Sequence, residues 1–263
     1  AEFTWFLSLL PQWLFTGAVL LIIYFALDTY YYKKEHWTAI SADHREHKPL
    51  CLKGGINLLY LLCVVLAVAF VNVGMIPAMG EPGAPLWLQY LREIILLSLT
   101  FISIYTTKRK VRYELNHFSW SPIVEVAVLF LGIFTTMTPA LAYLSDNAAA
   151  LGLNQTWHFY YLTGALSSFL DNTPTAVAFH SVAAGLTPDQ MAAFGGNLVA
   201  GVPEVLLQAI CLGAVFFGAM TYIGNGPNFM VKAIAEESGI KMPSFFGYMF
   251  RFSLIVLLPV YIL

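Results

Sequence analysis

The chain has 263 residues, of which 59% are hydrophobic and 11% are charged, and its net charge is -2. A soluble domain carries about 25% charged residues, so this is the composition of a membrane protein. The charge balance argues against nucleic acid as a partner, and the cysteines, Cys51, Cys63 and Cys211, show no metal-ligand or disulfide spacing.

Long apolar runs predict membrane-spanning helices, because a hydrocarbon core of about 30 Å needs about 20 helical residues. In chain order these runs are 3–27, 54–80, 86–107, 121–144, 203–235, which is broken inside, and 243–263. We therefore expect an all-α integral membrane protein with many spans. Residues 54–145 are expected to form scaffold-type helices and residues 146–263 a transport-type module.

A polar, helix-breaking segment interrupts the apolar sequence at Ser167-Ser-Phe-Leu-Asp171-Asn-Thr-Pro-Thr175. Its flanks, 157–170 and 176–186, give about 21 Å and about 16 Å of helix, so neither crosses the bilayer alone. We predict a re-entrant hairpin over 157–186, whose irregular tip must be covered by protein or a water-filled cavity. An acid inside the membrane costs about 2.5 to 3.5 kcal/mol and marks a functional site.

The positive charges give the chain an orientation. All Lys and Arg residues except Arg92 and Arg251 lie in 33–53, 108–120 and 231–242. The positive-inside rule makes these stretches cytoplasmic. All three lie on one side of the membrane only if the 157–186 segment contributes an even number of crossings. A hairpin open to the outside does so, whereas a single transmembrane helix does not. The loops 81–91, 145–157 and 187–203 carry no Lys or Arg and are expected outside. We expect a multi-pass protein of the bacterial inner membrane.

A second break is predicted at Thr221-Tyr-Ile-Gly224-Asn-Gly-Pro-Asn228. Glycine costs a helix about 1 kcal/mol and proline about 3 kcal/mol relative to alanine, so the helix must unwind there. Unwinding frees backbone carbonyls beside Asn225 and Asn228, and oxygen atoms are the ligands that hard cations prefer. A half-helix starting near Pro227 would direct its positive dipole end at the site.

One hairpin and one broken helix make up one repeat of the inverted-repeat transporter plan. Residues 1–156 contain no second motif of either kind, and the sequence begins at Ala1. We therefore expect a missing N-terminal repeat, with residues 1–32 as its last helix. The chain would then be a fragment or a half that needs a partner.

Asp171 is the strongest candidate residue, because a single carboxylate in the tip can hold either H+ or Na+. The alternative is a structural acid that caps the amides of the tip. We predict Na+ ligands at Asp171, Asn172 and Asn225. The wider predicted cation site comprises Asp171, Asn172, Thr173, Pro174, Thr175, Asn225, Gly226, Pro227 and Asn228.

Weaker candidates lie beside these motifs or farther along the chain. Ser167 and Ser168 can bond to backbone alone, and Gly224 belongs to the second break. Glu125 follows a Ser-Pro helix start, where helix capping is the stronger interpretation. His180 can relay protons, but hydrogen-bonded packing is the stronger interpretation for a single membrane histidine.

At these residues the sequence resembles the ion transporter superfamily, specifically its NhaD-type sodium:proton antiporter and citrate-transport (CitMHS-like) branch. The resemblance rests on the two breaks, on Phe229-Met-Val-Lys-Ala-Ile-Ala-Glu-Glu237 and on Met242-Pro-Ser-Phe-Phe-Gly-Tyr-Met249. It implies a dimerising scaffold domain, hence a homodimer, and a transport domain that moves against it. It also implies that a preceding repeat supplies a second hairpin and broken helix, so that this chain is the C-terminal part.

These features predict a secondary transporter that exchanges Na+ for H+ through Asp171, with no other cofactor. An ion-coupled carrier of citrate or a similar carboxylate is the second hypothesis, although the tip offers no cationic side chain to such a substrate. A non-transporting membrane subunit is a third. An enzyme acting on lipid phosphates is not expected, since the spans offer neither clustered acids for Mg2+ nor a Ser/His/Asp set.

Overall fold

A computed structural model describes residues 3–37, 41, 52–115, 118–237 and 239–263. The chain divides into two compact units: Ala1–Leu10 with Phe25–Glu125, and Pro11–Tyr24 with Val126–Leu263. These units do not follow the predicted boundary at residue 145, because most of the predicted 121–144 span belongs to the second unit. The assignment of a scaffold and a transport module stays a prediction.

The first unit is helical in its described residues. A 3-10 helix, Phe3–Leu9, continues directly into α1 (Leu10–Tyr32), whose residues divide between the units. The elements that follow are α2 (Ile56–Phe70), a 3-10 turn (Pro77–Gly80), α3 (Leu86–Gln89), α4 (Leu91–Thr106) and a π-helical segment (Lys110–Leu115).

Polar side chains join α2 to α4. The hydroxyls of Ser103 and Thr107 both donate to Asn57 Oδ1, at 3.0 Å and 2.9 Å. Tyr60 and Thr106 share a further hydroxyl–hydroxyl bond of 2.9 Å. Such interhelical bonds hold apolar helices in register, as they do in membrane proteins.

Except for the first residues of the next helix, up to Glu125, which belong to the first unit, the second unit contains the remaining elements. They are α5 (Ser121–Asp146), a 3-10 turn (Ala148–Leu151), α6 (Thr156–Ser167), α7 (Asn172–Ala184), α8 (Pro188–Phe194), β1 (Leu198–Val199), β2 (Val202–Pro203), α9 (Glu204–Phe217) with a 3-10 extension (Gly218–Met220), α10 (Gly226–Glu237), α11 (Phe245–Tyr248), a π-helical segment (Met249–Leu257) and α12 (Leu258–Ile262). The antiparallel β1–β2 hairpin, with Leu198 opposite Pro203, departs from the all-α expectation.

Close packing of α6 on α9 organises this unit. A Cβ on Gly164 would lie 2.6 Å from the Phe217 ring, and a Cβ on Gly213 would overlap the carbonyl oxygen of Tyr160. Glycine therefore lets the two helices approach backbone to backbone. A buried cluster joins α9 and its extension to the end of the chain; its residues are Phe217, Met220, Val260 and Tyr261.

Among the described residues, Phe3–Tyr32 and Phe245–Ile262 are helices long and apolar enough to cross a membrane, and Ile56–Phe70 and Glu204–Met220 are apolar but shorter. The first of these helices exposes large apolar side chains, including Ile22 and Phe25. This pattern supports a membrane protein. The full multi-pass topology, the re-entrance of 157–186 and the repeat stay predictions.

The predicted run 54–80 is not a single helix. Its helix α2 ends at Phe70, where Asn72 makes a turn: Nδ2 donates to the Ala69 carbonyl at 2.9 Å, and Oδ1 accepts from the Met75 amide at 3.0 Å. The side chain of Asn72 thus replaces the helical hydrogen bonds at this point.

Candidate functional site

Both predicted motifs interrupt helices, and the interruptions lie against each other. The first link, 168–171, separates α6 from α7, and the second, 221–225, separates the α9 extension from α10. Thr221 Oγ1 donates to the Ser168 carbonyl across the two links. A Cβ on Gly224 would lie 2.9 Å and 3.0 Å from the carbonyl oxygens of Ser167 and Ser168. We call this contact region of the two links the junction.

Asp171 caps the helix that follows it. Its Oδ1 accepts from the Asn172 amide at 2.8 Å, and its backbone oxygen accepts from Thr175 Oγ1 at 3.0 Å. An acid at this position satisfies a free amide and the positive end of the helix dipole. The side chain is half-buried and has no basic partner within the described part of the chain.

Asn172 connects the two breaks. Its amide group faces the carbonyl oxygens of Ala214 and Gly224, which fixes the amide orientation because a carbonyl can only accept. In that orientation Nδ2 donates to Ala214 O at 2.9 Å, to Gly224 O at 3.1 Å and to Ser167 Oγ at 2.9 Å. A Cβ on Gly218 would overlap this amide group, so glycine is needed there.

The buried hydroxyls of the first break bond to backbone oxygens. Ser167 Oγ donates to the Ala214 carbonyl at 2.6 Å, and Ser168 Oγ lies 3.0 Å and 3.2 Å from the carbonyls of Gly164 and Phe217. These bonds anchor α6 to α9. Ser168 thus bonds to backbone, whereas Ser167 Oγ also accepts from the side chain of Asn172.

The second break ends in a helix cap. Asn225 Oδ1 accepts from the Asn228 amide at 3.0 Å, and Asn228 Nδ2 lies 3.4 Å from the carbonyl oxygens of both Gly218 and Thr221. Pro227 is the second residue of α10, where no backbone donor is required. The half-helix starts at Gly226, one residue from the predicted start.

The other candidates lie in varied settings. Pro174 and Thr175 are buried in the first turn of α7, whereas Thr173 is exposed. His180 Nε2 bonds to the Ala200 carbonyl at 3.1 Å, about 13 Å along α7 from Asp171, so it is not at the junction. The side chain of Glu125 lies outside the described residues.

Thr221 is a central residue that the sequence reasoning did not select. It is fully buried, and besides bonding to Ser168 its Oγ1 accepts from the amides of Ile223 and Gly224 at 3.2 Å and 3.1 Å. The sequence signal that could have identified Thr221 is its position as the first residue of a Gly/Pro-rich break inside an apolar helix.

The junction is rich in oxygen atoms. Helices α6 and α9 end at the two links with carbonyl groups, α7 and α10 begin there with amide groups, and Asp171, the last residue of the first link, supplies a carboxylate. The described residues contain no group of three or more His, Cys, Asp or Glu side chains that could hold a metal ion. Neutral oxygens with one carboxylate suit a hard cation of low charge.

A basic side chain approaches the second link but is already paired. Lys232 Nζ lies 5.7 Å from the centroid of the Tyr222 ring and 2.6 Å from Glu236 Oε2. Lys232 is therefore already paired with a carboxylate.

Comparison with models of known protein families matches residues 1–263 to the family described as "Putative citrate transport". No curated protein sequence and no solved structure matches the chain.

Proposed function

The chain belongs to the "Putative citrate transport" family, and from this premise we propose that it is a membrane secondary transporter that exchanges Na+ for H+ at the junction. The observation that carries the proposal is that Asp171 ends the first link directly before Asn172, whose side-chain amide bonds to Gly224 of the second link. In inverted-repeat transporters, free carbonyls and half-helix ends hold the coupling ion.

Na+ would bind the Asp171 carboxylate with neutral oxygens around it. Only Oδ1 of Asp171 is engaged by the Asn172 amide, so the other carboxylate oxygen is open to an ion. Asn225 Oδ1 accepts one hydrogen bond and has a second lone pair. Because a protonated Asp171 carries no charge, H+ and Na+ compete for it, and this competition couples their opposite movement.

Alternating access would use the short helices of the first break. α6 has 12 residues and α7 has 13, which gives about 18 Å and about 20 Å of helix. Neither length spans a core of about 30 Å. We propose that they enter and leave the membrane from the outer face. A preceding repeat and a second copy of the chain are the proposed partners.

Transport of citrate or another carboxylate, coupled to the same ion, is the second candidate. The family description favours it, and the amide ends of α7 and α10 offer partial positive charge to a carboxylate. The charge of Asp171 and the pairing of Lys232 with Glu236 oppose a free anion here unless a cation neutralises Asp171.

Everted vesicles that contain the full-length protein test both candidates. Adding Na+ should collapse a preformed pH gradient, and Asp171→Asn should abolish the response. Asp189→Asn, which changes an exposed acid in α8, is the matched control and should respond normally. An unchanged response in Asp171→Asn would contradict the proposal.

Labelled citrate distinguishes the second candidate. Citrate uptake that requires Na+, in vesicles whose pH gradient does not respond to Na+, would favour carboxylate transport. Failure of both responses in the wild-type protein would favour the non-transporting subunit.

A further inference from the structure

Tyr248 connects the last helical segment to the second break. Its hydroxyl donates to the Ala219 carbonyl at 3.1 Å. Its ring stacks on Tyr222, with centroids 4.6 Å apart and ring planes 25° apart. Ala219 belongs to the 3-10 extension of α9 and Tyr222 to the second link, so one side chain bonds to the backbone just before the break and stacks on a ring within it.

The segment that carries Tyr248 has an unusual geometry. A π-helical run, Met249–Leu257, begins at the next residue. Such runs are rare and often mark functional sites. Ser253 within it is fully buried, within hydrogen-bonding reach of the Tyr248 side chain. Tyr248 directly precedes this run, and its side chain contacts the break.

The backbone that Tyr248 holds also lines the junction. Ala219 follows Gly218 directly and precedes Thr221 by two residues. The carbonyl oxygens of Gly218 and Thr221 each lie 3.4 Å from Asn228 Nδ2. Adjacent peptide groups are linked through the dihedral angles of the residue between them. Fixing the Ala219 carbonyl therefore restricts the directions of the neighbouring carbonyl groups. That bond adds a polar anchor for the 3-10 turn to the apolar contacts of Met220 and Tyr222.

We propose that Tyr248 is a positioning residue for Na+: it holds the 218–221 backbone so that its carbonyls are directed at the junction. The inference rests on the proposed function, since it concerns the same ion site. Tyr248 does not touch the ion. Its loss should weaken Na+ binding while leaving the carboxylate chemistry of Asp171 in place.

Tyr248→Phe tests this, because it keeps the ring and its stack on Tyr222 and removes only the hydroxyl. In everted vesicles the half-saturating Na+ concentration should rise about three- to tenfold, the effect of one lost hydrogen bond, with the maximal response unchanged. Tyr160→Phe is the matched control. It removes a similar bond, from Tyr160 to the Tyr261 carbonyl at 2.9 Å, and should leave the half-saturating concentration unchanged.

The possible outcomes separate this inference from the proposed function. A wild-type protein that does not respond to Na+ overturns both. A wild-type response with normal half-saturation in Tyr248→Phe, or an equal shift in Tyr160→Phe, overturns the positioning role alone. Failure of Tyr248→Phe to fold, judged by size-exclusion chromatography, would also overturn it, because the hydroxyl would then be a general stability element.

Discussion

Substitution of Gly224 by alanine should destabilise the second unit by forcing the two links apart. The added methyl group would overlap the Gly218 carbonyl oxygen and lie 2.9 Å and 3.0 Å from the carbonyls of Ser167 and Ser168. Overpacking typically costs about 1 to 3 kcal/mol, and these neighbours are backbone atoms that cannot rotate away. We therefore expect about 3 kcal/mol, which is about 6 to 12 °C in melting temperature for a chain of this size.

Thermal unfolding of the purified protein in detergent measures this effect. Gly226→Ala is the matched control, because it lies in the same motif and none of the described atoms is within 4 Å of the position of its Cβ. Its melting temperature should stay within about 2 °C of the wild type, or rise slightly through reduced freedom of the unfolded chain. Equal melting temperatures for the two variants would refute the contact between the links.

Three further outcomes follow from local contacts. Asn57→Ala should lower stability by about 1 to 2 kcal/mol, measured by thermal unfolding, because the hydroxyl donors of Ser103 in α4 and of Thr107 just after it lose their acceptor. Thr187→Ala should cost about 1 kcal/mol by removing the capping box of α8, with a normal Na+ response in vesicles. Lys232→Gln should change stability by less than about 1 kcal/mol, and by less still in high salt, since Glu236 is half-exposed.

The two helix breaks were predictable because Gly, Pro and Asp in apolar sequence act locally. Pro227 and the glycines at 224 and 226 disfavour a helix that continues through this segment, whatever the tertiary structure, although Pro227 is tolerated at the second position of α10. The start of α5 at Ser121 was likewise visible in Ser121-Pro122. The first and second links come together where α6 packs on α9, whose close approach requires glycine at 164 and 213. This is tertiary packing, which local pattern does not determine.

Other features depend on single hydrogen bonds that composition does not reveal. The apolar run after Gly54 continues to Gly80, yet the side chain of Asn72 ends α2 near Phe70. Thr221 became prominent only through its bond to Ser168 across the two links. The strands β1 and β2 have two residues each, too few for an alternating pattern.

The capping role of Asp171 was considered as an alternative to ion binding, and the structure shows the cap. The two roles are compatible, because a carboxylate has two oxygens and the Asn172 amide engages one. Asparagine also caps helices well, so Asp171→Asn removes the charge while keeping a cap. The variant therefore isolates the charge from the fold.

Proton release on Na+ binding tests most directly whether Asp171 is shared by Na+ and H+. Na+ is added to the purified protein in weakly buffered solution, over a series from acidic to neutral pH, and released protons are measured with an indicator dye. The wild-type protein should release protons, up to one per chain, and Asp171→Asn should release none. Equal release from the two proteins, or Na+ binding without proton release at every pH, would contradict the shared carboxylate.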